Sequence, residues 1–89
     1  MKIKENFVLR QVANTWMVMP LGEQNDQLGG MLTLSESGAL LWQALEQGGD
    51  LEKLTKVLTE EYEVTEAKAR TDAAQFVEKL RSLGCIDAD

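Results

Sequence analysis

The sequence contains no histidine and only one cysteine, Cys85. A single cysteine cannot form a disulfide bond within one chain. Zinc and redox-metal sites lose their usual imidazole and thiolate ligands. The absence of histidine also excludes Ser–His and Cys–His catalysis and a histidine general base. These absences favour a binding function over an enzymatic one, and we expect no catalytic residue, no metal and no cofactor.

Long apolar runs and an excess of positive charge are also missing. No apolar stretch approaches the roughly 20 residues that span a bilayer. Lys2 and Lys4 are not followed by the apolar segment of a signal peptide. We therefore expect a cytoplasmic protein without a membrane partner. The net charge of −6, from 9 basic and 15 acidic residues, argues against a nucleic-acid partner, because that binding depends on Lys and Arg neutralising phosphates.

The composition itself is that of an ordinary globular protein. Hydrophobic residues make up 44% and charged residues 27%, which is too apolar for a disordered chain. The length of 89 residues predicts a single domain over residues 1–89. A chain of this size buries a modest core and leaves little room for a deep active-site cleft.

The N-terminal part of the sequence predicts a β-hairpin. Two runs rich in β-forming residues, "FVLRQV" (Phe7 to Val12) and "TWMVM" (Thr15 to Met19), flank Ala13-Asn14. These two residues fit a tight turn, since Asn tolerates positive φ. Pro20 is expected to end the pairing because it has no N–H. The polar, glycine-containing segment 21–30 then predicts a loop.

A short third strand is predicted directly before a helix. Met31 to Leu34 alternates so that Leu32 and Leu34 lie on one face and Met31 and Thr33 on the other. Ser35 follows at once and is a favourable helix N-cap. If the second strand is central, this third strand is an edge strand whose outer N–H and C=O groups are unpaired.

The C-terminal half predicts three helices from apolar residues at helical spacing. Their boundaries are Glu36 to Gln47 with Ser35 as N-cap, Leu51 to Tyr62 with Asp50 as N-cap, and Thr65 as N-cap to about Leu83. The order β-β-β-α-α-α predicts an α+β fold, a three-stranded antiparallel sheet followed by three helices, in a winged helix-turn-helix-like arrangement.

These segments together resemble the PqqD family, also called the RiPP recognition element and named for an accessory protein of pyrroloquinoline quinone biosynthesis. The resemblance extends from about Phe7 to Ile86. Two departures are Ser35, where the family often has Asn, and Ala13, where glycine is common. The matching stretches are "FVLRQVANTWMVMP", "GMLTLSESGALLWQAL", "LEKLTKVLTEEYEV" and "DAAQFVEKLRSLGCI".

The resemblance implies that the protein binds the leader segment of a ribosomally synthesised precursor peptide. It implies further that the leader is held as an added strand against the third β-strand, in a groove closed by the third helix. The partner would be a separate modifying enzyme, commonly a radical SAM maturase, and the domain itself would do no chemistry.

The residues themselves also predict a peptide-binding site. An extended peptide can complete the ladder of an edge strand while alternate side chains fill pockets. On a helical wheel of the third helix, small residues and two arginines border the core-facing stripe. The arginines would pair with leader carboxylates or be an ordinary solvated face. The predicted peptide-binding residues are Met31, Leu32, Thr33, Leu34, Arg70, Ala73, Ala74, Val77 and Arg81.

Two other interpretations remain open at this point. The strand and helix order is also compatible with a winged-helix DNA-binding or transcription-regulator module, which would need a basic recognition helix. The second helix, "LEKLTKVLTEEYE", is poor for that role because it has two lysines against four glutamates. A homodimer rather than a monomer is possible, since an exposed strand edge invites pairing with a second copy.

Overall fold

The computed structural model describes residues 1–5, 7–21 and 32–86. Three strands form an antiparallel sheet in the order β1-β2-β3, and three helices follow. This confirms the predicted α+β fold. The strands are β1 (Phe7–Val12), β2 (Thr15–Pro20) and β3 (Leu32–Leu34), and the helices are α1 (Glu36–Glu46), α2 (Leu51–Glu61) and α3 (Glu66–Ser82).

The hairpin register places one face of the sheet against the helices. Leu9 lies opposite Val18, and Val18 lies opposite Leu32. Val18 is buried, whereas Thr33, which follows Leu32 in β3 and lies on the other face of the sheet, is exposed. In the turn, Ala13 and not Asn14 adopts positive φ, at 56°. The turn lies where it was predicted, although Ala13 adopts the left-handed conformation less favourably than Asn14 would.

The element boundaries differ from the predicted ones by one residue. β2 includes Pro20, which lies opposite Phe7 at the end of the ladder. Gln47, Tyr62 and Leu83 are helix C-caps and not the last helical residues. Met31, predicted as the first residue of the third strand, and residues 22–30 of the predicted loop lie outside the described residues.

Each helix begins at the predicted N-cap. The Ser35 hydroxyl accepts a hydrogen bond from the Gly38 N–H at 3.1 Å. Asp50 and Thr65 accept in the same way from the third residue of their own helices. Such caps satisfy backbone donors that have no partner inside the helix. The Ser35 cap therefore joins β3 to α1 without a linker.

The core lies between the inner face of the sheet and the three helices. Trp42 of α1 is fully buried, and its ring packs edge-to-face on Phe7 with centroids 6.4 Å apart. Leu45, Leu54 and Leu80 bring all three helices into the same cluster. Outside the sheet, Ile3 forms an isolated antiparallel bridge with Ile86. None of the described helices has the length and apolar character needed to cross a bilayer.

Candidate functional site

The outer edge of β3 is an unpaired strand edge next to the helices. β3 pairs with β2 on one side, with Met17 opposite Thr33, and within residues 1–5, 7–21 and 32–86 no strand pairs with its other side. Leu34 is buried, Leu32 is half-buried and Thr33 is exposed. The free edge therefore presents unpaired backbone groups beside a side-chain row anchored in the core.

A cleft of about 470 Å³ begins at Ser35, directly after this edge. Its apolar part is formed where α1, α2 and α3 approach one another, and its rim is polar. The α3 residues that line it are three or four positions apart, so their side chains lie on one face of the helix. The apolar lining includes Gly38, Leu41, Leu58, Val64 and Phe76, and the polar lining includes Ser35, Ser37, Tyr62, Asp72, Gln75 and Lys79.

Phe76 joins this cleft to the core, as Leu41 and Leu58 also do. It is half-buried and packs against the core cluster, while its ring also lines the cleft. An aromatic ring in this position offers a large apolar surface at the cost of little side-chain entropy. The cleft is thus suited to an apolar side chain of a bound partner.

The charges around the cleft are mixed. Asp72 forms an ion pair with Lys68 at 2.9 Å, which uses its charge within α3. Lys79 has no ion pair with any described residue. Tyr62 lies nearby, and burial followed by the charges of Glu36 and Glu61 raises the pKa of its hydroxyl. Lys79 is therefore available to a carboxylate of a partner.

The predicted α3 residues lie away from this cleft. Ala73 is 0% exposed and Val77 is 5% exposed, so both belong to the core. Arg70 lies 3.4 Å from Glu66 and 3.9 Å from Glu52 of α2. Arg81 is held by Glu78, and Ala74 is half-buried. The role of these residues in binding stays a prediction.

The predicted β3 residues do not line this cleft either. Leu34 lies close to Gly38, and the Ser35 that follows Leu34 lines the cleft, as Asp72, Phe76 and Lys79 do from α3. The role of the β3 residues in binding stays a prediction. On the helical wheel Asp72 and Lys79 lie on the other border of the core-facing stripe, and Phe76 lies within the stripe beside them. The sequence does not say which border faces the sheet.

The fold defines the class of this protein, a small α+β protein in which a three-stranded antiparallel sheet is followed by three helices. Residues 15–86 match the family described as Coenzyme PQQ synthesis protein D (PqqD). The chain therefore belongs to the PqqD family, as the resemblance indicated. A search of curated proteins found no match.

Two solved structures share the fold. One is described as TbiB1 in complex with the TbiA(beta) leader peptide, with 24% identity, a TM-score of 0.79 and full coverage of both chains, 100% and 100%. The other is a lasso peptide synthetase B1 complexed with the leader peptide, with 25% identity and a TM-score of 0.76. That comparison covers 94% of this chain and 93% of the other.

Proposed function

We propose that this protein binds the leader segment of a ribosomally synthesised precursor peptide by strand addition to β3. It presents the remainder of the precursor to a separate modifying enzyme, for which a radical SAM maturase is the expected class. The domain acts as a binding partner and carries out no reaction itself. Residues 1–89 function as one unit in this role.

The observation that carries the proposal is the open edge of β3 directly beside the cleft. A peptide that lies along this edge would form backbone hydrogen bonds and send side chains toward Phe76. The two solved neighbours are complexes with leader peptides, which supports a leader peptide as the ligand of this protein.

Backbone hydrogen bonds along the β3 edge are too few to supply a micromolar affinity, so binding also requires contacts in the cleft. β3 has three described residues, so only a few hydrogen bonds can form along it. Each contributes about 0.5–1.5 kcal/mol net, whereas a micromolar complex requires about 8 kcal/mol. Ordering a disordered segment on binding costs roughly a further 2–5 kcal/mol. Most of the affinity must therefore come from apolar side chains, each contributing about 1.5–3 kcal/mol when fully buried.

A peptide selection tests the binding half of the proposal. Peptides selected from a random display library, and synthetic peptides from short reading frames encoded near this gene, are titrated calorimetrically against the protein. We expect at least one to bind with one-to-one stoichiometry and micromolar affinity, while duplex DNA at the same ionic strength does not bind. Binding of DNA without binding of any peptide would refute the proposal.

The presentation half needs a separate measurement. A modifying enzyme encoded beside the precursor is given the full-length precursor with and without this protein. We expect modification to depend on the protein, and to be lost when free leader peptide competes for it. An equal rate in its absence would show that it does not present the precursor.

A further inference from the structure

The cleft has charges of opposite sign at its two ends. Lys79 lies in the last turn of α3 and lines the cleft. Tyr62 closes α2 and therefore lies near the start of α3, at the other end of the cleft. Burial, and after it the nearby charges of Glu36 and Glu61, raise the pKa of the Tyr62 hydroxyl. A carboxylate of a bound partner is therefore attracted at the Lys79 end and repelled at the Tyr62 end.

Lys79 differs from the other basic residues of α3 in having an unused charge. Ion pairs already engage Lys68, Arg70 and Arg81. Lys79 is exposed and forms no ion pair with a residue that the structure describes. Asp72, which lines the same cleft, has its charge offset by Lys68 at 2.9 Å. Lys79 is therefore the α3 cation that can act on a partner in the cleft.

We propose that Lys79 is a specificity-determining residue, which selects peptides with a carboxylate close to the apolar side chain that packs against Phe76. The carboxylate lies on the side of that apolar residue toward the end of α3. A carboxylate on the other side is disfavoured by Glu36 and Glu61. This role deepens the proposed function and rests on it, because the ligand is the peptide of that proposal.

The spacing of the two peptide residues follows from helix and strand geometry. Phe76 and Lys79 are three positions apart in α3, so they lie on one face, about 4.5 Å apart along the helix axis. In an extended peptide, residues that point to the same side are two positions apart, about 6.6 Å. The flexible lysine side chain can cover the difference. The selected pattern is therefore an apolar and an acidic residue separated by one other residue.

Selection of peptides on charge-reversed variants tests this pattern. A random display library is selected on the unmodified protein, on Lys79→Glu and on Lys56→Glu. The control, Lys56, is an exposed lysine of α2 that lies outside the cleft and forms no ion pair with a described residue. Both substitutions change the net charge equally, so they share any long-range effect on a charged peptide.

We expect the unmodified protein and Lys56→Glu to enrich an acidic residue two positions from an apolar one. Lys79→Glu should enrich a basic residue at that position instead, because the sign of the charge at this end of the cleft is reversed. The same preference on all three proteins would overturn the proposal.

Calorimetric titration of one selected peptide measures the size of the effect. We expect Lys79→Glu to weaken binding about tenfold and Lys56→Glu less than about twofold. High salt should reduce the difference, because a charge at the rim of the cleft is screened. Replacing the acidic residue of the peptide by lysine should restore binding to Lys79→Glu. Moving the acidic residue to the other side of the apolar one should weaken binding to the unmodified protein.

Lys79→Gln distinguishes recognition from a structural role, because it places no acid at the C-terminal end of the helix. It should keep the thermal midpoint and still weaken binding about threefold. A loss of affinity only in variants with a lowered midpoint would show a structural role. If the unmodified protein binds a peptide and Lys79→Glu binds it equally well, only the role of Lys79 fails. If the unmodified protein binds no selected peptide, the proposed function fails and this role fails with it.

Discussion

At the scale of single residues, Cys85 has the most clearly altered chemistry. Its side chain is 0% exposed, and burial raises the pKa of the thiol to about 11, against a smaller opposite effect of the Lys4 charge. A thiol that stays protonated at neutral pH is a poor nucleophile. Cys85 is therefore a packing residue.

This burial makes stability depend on alkaline pH. In the unfolded chain the thiol ionises near its ordinary pKa of 9.0, whereas in the folded protein its pKa is about 11. Between these values the folded state keeps a proton that the unfolded state has lost, so the free energy of unfolding falls as pH rises. Below about pH 9 the contribution is complete.

Urea unfolding from about pH 8 to pH 11 measures this effect. The unmodified protein should lose more stability over the range than Cys85→Ala, whose own stability is lower but less dependent on pH. Tyr62 titrates in both proteins and cancels from the comparison. If the free energy of unfolding depended on pH identically in the two proteins, the raised pKa of the Cys85 thiol would be contradicted.

Ala73 provides a second test at the residue scale. It is 0% exposed within the core, so Ala73→Leu should lower the free energy of unfolding by about 1–3 kcal/mol through overpacking. The control is Ala67→Leu, at an exposed position of the same helix, which should change stability by no more than about 0.5 kcal/mol. If Ala73→Leu kept full stability and lost only peptide affinity, Ala73 would belong to the groove as originally predicted.

At the scale of elements, α3 has two flanks with different surroundings. One carries Arg70 and Arg81, which form ion pairs with Glu52, Glu66 and Glu78. The other carries Phe76 and Lys79, which line the cleft beside β3. Exposed ion pairs contribute little to stability, about 0–1 kcal/mol each, so the arginine flank contributes little to the stability of the fold.

The two flanks predict different losses of peptide affinity. Phe76→Ala should weaken binding at least about tenfold, because it removes the largest apolar surface of the cleft. Arg70→Gln should change affinity by less than about twofold, since its charge is already used within the protein. Titration of one selected peptide against both variants, each checked for an intact thermal transition, measures the difference. A larger loss in Arg70→Gln would assign binding to the arginine flank.

The elements were largely predictable from the sequence because their signals are local. The caps at Ser35, Asp50 and Thr65 and the alternation of β3 are set by neighbours within a few residues. The rotation of α3 about its axis is not local, because it depends on how the helix packs on the other two. The approach of Phe76 in α3 to Gly38 in α1 is likewise a tertiary property, and the wheel alone leaves both flanks of α3 equally available.

At the scale of the whole molecule, the fold brings a backbone surface and an apolar cleft to one place. Among the residues that the structure describes, the sheet has two edges, and only the β3 edge continues into the cleft, through Ser35. The β1 edge lies on the far side of β2. The net charge of −6 makes contact with nucleic acid unfavourable. An unpaired strand edge is a surface that an extended peptide can pair with.

The most direct test is amide hydrogen exchange of the whole protein with and without a selected peptide. We predict that exchange at Leu32–Leu34 slows when the peptide binds, while exchange along the outer edge of β1, within Phe7–Val12, stays unchanged. The β1 edge serves as an internal control of the same sheet. Slowed exchange at β1 with unchanged exchange at β3, in a complex whose affinity is established, would contradict strand addition at β3.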